Sequence, residues 1–356
     1  MPTKKYKAVL LKHLADYPAS EITDIFKLIN QAAFGTGHLV KSREAAAAFI
    51  AEELTFANED ASPEIEEIDG SVFRLHLSYL EKHGLAADTL AALFDLTSRI
   101  DMGGEESLRL YLEAFSELID EGKIHIKKED LVRELDLWKK SGYSAPRHSE
   151  NYRKIYNPHY RVISNRFKPY LPLLSLIDKT LLKKGRATVA LEGGSASGKT
   201  TLSAILEEIY GATVFHTDDF YLPLARQDES RLTSPGECTD HERFLAEVVL
   251  PSSRGESVNY KRFDCAEQRL MPPVKINPTA LTVCEGAYSA HPSMEKYYDL
   301  IAFLDVDEEV QRKRIEKRNT PAIAKRHFEE WIPREELYFS ATGIKDRCDI
   351  IIPITE

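Results

Sequence analysis

Between residues 193 and 200 the chain reads Gly-Gly-Ser-Ala-Ser-Gly-Lys-Thr, which fits the pattern Gly-x-x-x-x-Gly-Lys-[Ser/Thr]. The apolar run Ala187-Thr188-Val189-Ala190-Leu191 leads into it, and a helix-compatible run from Leu202 to Tyr210 follows. The pattern therefore sits in a strand–loop–helix unit. Glycines let backbone N–H groups turn inward around phosphate oxygens, and the helix start adds a partial positive charge. In that setting Gly193, Gly194, Ser195, Ala196, Ser197, Gly198, Lys199, Thr200 and Thr201 are expected to cradle the phosphates of a nucleotide. Lys199 can reach the outer phosphates, and the Thr200 hydroxyl can ligate Mg²⁺. A glycine-rich turn that binds nothing is the alternative. Lys and Thr standing in register between strand and helix argue against it.

The residues after the loop alternate strand and helix. Strands are expected at 188–191, 213–216, 281–284, 300–304 and 350–354, with helices between them. That order implies an α/β fold with a parallel five-stranded sheet flanked by helices, and ligands at the carboxyl ends of the strands. Several polar groups fall at those ends. Asp218-Asp219 follows the second strand, and adjacent side chains on an extended segment point opposite ways, so only one of them can easily face the phosphate site. A carboxylate there can accept a proton from an attacking hydroxyl or hold Mg²⁺-bound water. Such a pair also serves as a loop or helix cap. Glu285 ends another strand, where a supporting role for Mg²⁺ and a plain solvated acid are both open. Asp240 reads as a helix N-cap or as a contact to substrate hydroxyls. Arg314 and Arg318 share one face of a charged helix. That helix is either a salt-bridged surface element or a lid that brings arginines onto a transferring phosphate. His216 reads as a histidine packed at a strand end, with tuning of the site as the alternative.

Helical spacing dominates the first half, over 6–17, 21–33, 42–56, 87–100, 105–121 and 129–140. Ser42 is a plausible N-cap, and Gly122 sits where a helix would end. Residues 72–77 alternate as a short strand. The expected organisation is a mostly α-helical domain over 1–145, a linker and lead-in helix over 146–184, and the phosphate-loop domain over 185–356. Phe34-Gly35-Thr36-Gly37-His38 reads as a helix–helix turn, with an anion cradle as the alternative. His148, Tyr152, Arg153, Tyr156, Tyr160 and Arg161 form an aromatic-basic segment. It could stack on bases, although such segments more often pack a linker against a neighbouring domain.

Net charge is −10. Residues 185–356 carry 21 basic and 29 acidic side chains, and residues 1–184 carry 26 and 28. Neither half has the basic excess of a general nucleic-acid binder. No apolar run is long enough to span a membrane, and no signal-peptide core follows the start. Cys238, Cys265, Cys284 and Cys348 form no Cys-x-x-Cys pair, which suits reduced thiols in a cytoplasmic protein.

Taken together, these motifs resemble the uridine kinase-like branch of P-loop small-molecule kinases, over about residues 185–356. Asp218-Asp219-Phe220-Tyr221 resembles the family's Asp-x-Phe-Tyr signature, which implies Asp218 as the catalytic carboxylate and Tyr221 beside the substrate. Asp240-His241 resembles its Asp-His segment, where the Asp contacts ribose hydroxyls. Glu285-Gly286 matches a Glu-Gly at a central strand end, and Arg314 and Arg318 fall in the arginine-bearing lid. The tail around 331–339 and 346–351 is similar to bacterial members. Where uridine-cytidine kinases carry Tyr-Asp and then a base-reading His, this chain has Phe263-Asp264 and no His. Phe263 is the matching substrate-side position. The resemblance implies ATP and Mg²⁺ as cofactors and a nucleoside-like small molecule as acceptor, with homo-oligomerisation left open. The alternatives are a kinase of another metabolite, pantothenate- or sugar-phosphate-like, or a nucleotide-gated regulatory protein with the first half as effector module. No Asn-Lys-x-Asp or Leu-Ser-Gly-Gly-Gln segment occurs, which disfavours a GTPase or an ABC-type ATPase.

Overall fold

The computed structural model describes residues 3–35, 42–56 and 63–355. Thr36, Gly37 and His38 of the glycine-bearing turn lie outside them. The chain divides into two compact units, Met1–Lys168 and Pro169–Glu356.

The first unit is built on the helices read from periodicity. They run Lys4–Asp16, Ile22–Phe34, Arg43–Leu54, Ala87–Ser98, Gly104–Asp120 and Lys128–Lys140. The Ser42 side chain caps the third, accepting from Ala45 N at 3.1 Å. Phe26 stacks on Trp138 at 4.5 Å between ring centres, in a core shared with Tyr111, Phe115 and Leu118. The expected strand is the centre of an antiparallel sheet, with Val72–His76 between Ile65–Glu67 and Tyr160–Ser164. This corrects the linker expectation for 146–168. That segment belongs to the first unit, because its strand pairs with the sheet and His148, Tyr152 and Phe167 are buried. His148 and Tyr152 are inside and stacked at 4.1 Å, so they present no face to a nucleic-acid base.

Beneath that sheet lies a buried chain of directed hydrogen bonds. Arg74, fully buried, donates through Nε and Nη2 to Gln31 Oε1 at 3.1 and 2.9 Å and through Nη1 to Glu66 Oε1 at 2.9 Å. Gln31 Nε2 donates to the Tyr160 hydroxyl at 3.1 Å, and that hydroxyl lies 2.6 Å from His148 Nε2. His148 Nδ1 lies 2.8 Å from Asp24 Oδ1. With neutral His148, one direction satisfies every member: Tyr160 donates to Nε2 and Nδ1–H donates to Asp24. Burial, with the Arg74 and Lys27 charges, pushes the His148 pKa down to about 4 against the Asp24 hydrogen bond.

The second unit is the expected α/β layer structure. Its sheet is fully parallel, in the order Ile350–Ile354, Leu300–Val306, Ala187–Gly193, Leu281–Glu285, Thr213–His216. The central strand Ala187–Gly193 is buried throughout, as a strand covered on both faces must be. The helix Lys199–Tyr210 follows its loop. No helix among the described residues is long and apolar enough to cross a membrane.

Arg74→Met leaves the buried Glu66 carboxylate without its cation. It should cost the first unit about 3–5 kcal/mol, read from Trp138 fluorescence in urea in a Trp331→Phe background. A loss below 1 kcal/mol would contradict the network's role. His148 gives a pH effect of definite sign. The unfolded chain takes up a proton near its ordinary 6.5 that the native imidazole refuses until about 4. Stability of the first unit should therefore fall as pH drops from 6.5 to 4, by up to about 3 kcal/mol. The slope should flatten in His148→Gln.

Candidate functional site: a phosphate loop facing two strand-end carboxylates

The loop leaves the central strand at Gly193, whose φ is +144°. A Cβ there would lie 2.6 Å from the Leu304 carbonyl oxygen on the neighbouring strand. Only glycine lets the two backbones approach so closely. Lys199 is almost fully buried, and its Nζ donates to the Gly193 and Gly194 carbonyls at 2.8 and 2.9 Å. Ser195 Nα–H and Oγ both donate to Glu335, at 2.8 and 2.7 Å. Gln311 Nε2 donates to the Ser195 carbonyl at 2.8 Å, and Arg314 Nη1 to the Ala196 carbonyl at 3.0 Å. The loop is thus held from the helices Glu308–Arg318 and Ile332–Thr342 as well as by its own strand. A cleft of about 580 Å³ opens beside it, lined by Tyr170, Ala196–Thr201, Arg314, Lys317 and Arg318. Arg314 and Arg318 therefore share a wall with the loop.

At the carboxyl end of the adjacent strand, Glu285 accepts from the Thr200 hydroxyl at 3.1 Å. His216 Nδ1 lies 2.6 Å from the same oxygen, Oε1. His216 and Glu285 are register partners on neighbouring parallel strands, which sets them side by side. Their hydrogen bond raises the His216 pKa above its ordinary value. Burial opposes the Glu285 charge, yet His216 and Lys199 together hold its carboxyl below the ordinary carboxylate range. Packed-strand-end histidine is thus the wrong description of His216. Its side chain is 43% exposed and faces the site.

The two adjacent aspartates separate cleanly. Asp219 is buried and accepts from Arg262 Nε at 2.8 Å. Asp218 opens to solvent and accepts from the Tyr221 phenol. The protein packed around it, and the nearby Glu285 charge, push its carboxyl up, while Lys199 pulls it down. Residues 220–222 run antiparallel beside 238–240, through an Asp240 N to Phe220 O bond of 2.7 Å and a Tyr221–Thr239 bridge. Asp240 therefore stands opposite Phe220, with Thr239 opposite Tyr221. Asp240 is buried, caps the short helix His241–Phe244 and also accepts from Arg226 Nη1 at 3.0 Å, so of its two expected roles the N-cap is the one the geometry shows. Phe263 is buried in the strand pair Phe263–Asp264 with Arg269–Leu270, against the turn Thr217–Phe220.

Thr200 Oγ1, Glu285 and Asp218 supply oxygen donors alone, and the two carboxylates raise each other's cost of ionisation. That donor chemistry fits Mg²⁺, a hard cation that takes oxygen ligands. Glu335 and Glu192 were not singled out from sequence. Glu335 lies 140 positions from the serine it holds, and no spacing rule connects them. Glu192 left a signal: a carboxylate inside an apolar strand, directly before the glycines. It accepts from the backbone N–H groups of Gly193, Tyr288 and Ala290 at 2.9–3.0 Å and from the Tyr338 hydroxyl at 3.3 Å. Burial pushes its pKa up to about 7 against those donors.

No protein-family model matches the sequence. Among solved structures, the chain is similar to a possible uridine kinase from Bacillus stearothermophilus, at 20% identity over 51% of this chain and 100% of that one, with a TM-score of 0.39. It is similar also to a protein assigned as a fructose transport system kinase from Silicibacter sp. TM1040, at 21% identity over 50% of this chain and 96% of that one, with a TM-score of 0.38. Both scores lie below 0.5, so the fold assignment rests on the sheet order and the loop geometry above.

Gly286, with φ +140°, is the tightest position of the site: a Cβ there would lie 1.8 Å from Thr217 Oγ1. Gly286→Ala should destabilise the second unit by at least about 2 kcal/mol, through backbone strain and overpacking together. Trp331 fluorescence in urea, in a Trp138→Phe background, checks this. An unchanged midpoint would mean the close approach is not there in solution.

Proposed function

We propose that the second unit is an ATP-dependent phosphotransferase acting on a hydroxyl of a small molecule, with a nucleoside as the favoured acceptor. The observation that carries this reading is the separation of Asp218 from Asp219. Asp218 is open to solvent within the field of Lys199 and Glu285, while Asp219 is buried and tied to Arg262.

The roles follow from chemistry. The loop amides and Lys199 bind the phosphate chain, with Lys199 leaving the Gly193 and Gly194 carbonyls to meet the outer phosphates. Thr200, Glu285 and Asp218 would hold Mg²⁺, which when bound neutralises charge on the β- and γ-phosphate oxygens. Asp218 orients the acceptor hydroxyl and takes its proton as the new P–O bond forms, while the bond from the γ-phosphorus to the β–γ bridging oxygen breaks and ADP leaves. Arg314 and Arg318 stand beside the loop to balance negative charge on the transferring group. The transition state is loose, so positioning and electrostatics carry most of the rate. Tyr221, hydrogen-bonded to Asp218, suits a contact to an acceptor hydroxyl, and Asp240, across the antiparallel pair that holds Tyr221, is the second candidate for such a contact. Phe263 closes that side without a polar group for a base edge.

The test is ATP-dependent mass gain of one phosphate across a panel of nucleosides, pantothenate-like alcohols and sugar phosphates, with ADP release as second readout. With an accepted substrate, Asp218→Asn should lower kcat by about 10²–10⁴. Lys199→Ala should lower it by at least about 10². Wild-type turnover in Asp218→Asn would remove the assigned base. ATP binding with no phosphorylated product from any arm would count against the kinase reading.

A further inference from the structure

We propose a second metal centre in this unit, for a transition-metal dication of the zinc class, formed by Glu237, His241 and His291. One ligand atom from each residue lies within 4.8 Å of the others. None of the three was assigned to the phosphate-transfer site, and the donor set differs in kind from the oxygen-only set of Thr200, Glu285 and Asp218. Two imidazole nitrogens with one carboxylate oxygen suit zinc, cobalt(II) or nickel(II) rather than Mg²⁺.

The three residues are close enough to share an ion once the stacked imidazoles turn so that their in-plane lone pairs converge. His241 is only 7% exposed, and its Nδ1 has no hydrogen-bond partner among the described residues. Its Nε2 faces Glu237 Oε1 at 3.9 Å and Glu242 Oε1 at 3.7 Å. Those separations are too long for hydrogen bonds. They are of the size needed to admit an ion, since donors bound at about 2.0–2.1 Å in a tetrahedral shell lie about 3.4 Å apart. The His241 and His291 rings lie face to face at 4.0 Å, tilted by 20°. His291 Nδ1 accepts from the Ser293 backbone N–H at 3.3 Å and lies 2.9 Å from Ser293 Oγ, so without an ion the neutral ring carries its proton on Nε2. Binding an ion through Nε2 would move that proton to Nδ1, with Ser293 Oγ turning to accept it as the outer-shell partner. Glu242 or water completes four-coordination. Packing holds the two segments together: a Cβ on Gly236 would lie 3.1 Å from His291 Cδ2. The ion would thus tie the turn that leads into Asp240 to the loop that follows Glu285.

The test uses the full chain after chelator treatment, titrated with Co²⁺ in the presence of saturating Mg²⁺. One Co²⁺ should bind per chain with the visible absorption of a low-coordinate site, and Zn²⁺ should displace it. Removing an outer-shell partner of a metal ligand costs 10–100-fold in affinity, so His241→Ala and His291→Ala should each weaken binding at least about 100-fold. Glu237→Gln lies on a partly exposed turn and gives a second variant where folding is not at stake. It should weaken binding while leaving the metal-free Tm unchanged. No Co²⁺ uptake by the wild type, or the same uptake and spectrum in Glu237→Gln and in a His241→Ala/His291→Ala double variant, would overturn the proposal.

Discussion

Everything in the phosphate-loop unit hangs on one buried carboxylate. Glu192 is wholly inside, yet four donors converge on it: three backbone N–H groups and the Tyr338 hydroxyl. The donors come from the start of the phosphate loop, from the loop that follows Glu285, and from the helix that carries Glu335. A charge in such a place is tolerable only when it is fully hydrogen-bonded, and removing a single donor would expose its desolvation cost. Glu192 therefore fixes the take-off angle of the loop and the position of the next strand end with the same two oxygens. The close backbone approach at Gly193 and the pairing of Thr200 with Glu285 presuppose that alignment.

Around that anchor the site balances its charges at short range. Lys199 lies among Glu285, Asp218 and Glu335, each of which feels its field. His216 adds a hydrogen bond at Glu285. A polyanionic ligand entering the loop competes with Glu335 for the Ser195 N–H and Oγ, and with the loop's own carbonyls for Lys199. A phosphate that took those protons would leave Glu335 without them, because the same serine cannot give the same protons twice.

Much of this unit was legible in the sequence. The glycine–lysine–threonine pattern between an apolar run and a helix locates the phosphate loop, and strand counting then brings Asp218 and Glu285 to the same sheet edge. The five strands fall where alternation of strand and helix put them. What was not legible depends on tertiary closeness. Glu335 reaches Ser195 across 140 positions. His216 reads as packing until parallel register sets it against Glu285. In the first unit the helices follow from periodicity, but the antiparallel sheet does not. Tyr160–Ser164 sits in a Tyr-, Arg- and Pro-rich stretch that reads as linker, and its partner Val72–His76 lies 84 or more residues earlier. The polar chain from Arg74 to Asp24 is likewise invisible in sequence, since each member alone looks like a surface residue.

The contact between Gly286 and Thr217 has a further consequence. A hydroxyl stands where any side chain at 286 would begin, and that hydroxyl donates to the Ala287 carbonyl at 3.0 Å. Neither position can be altered alone without disturbing the other. Enlarging 286 requires cutting back 217, and cutting back 217 frees a carbonyl beside the strand end that carries Glu285. The turn bearing Asp218 and the strand bearing Glu285 thus behave as one mechanical part, and a mutational path that retunes one carboxylate has to carry the other along with it.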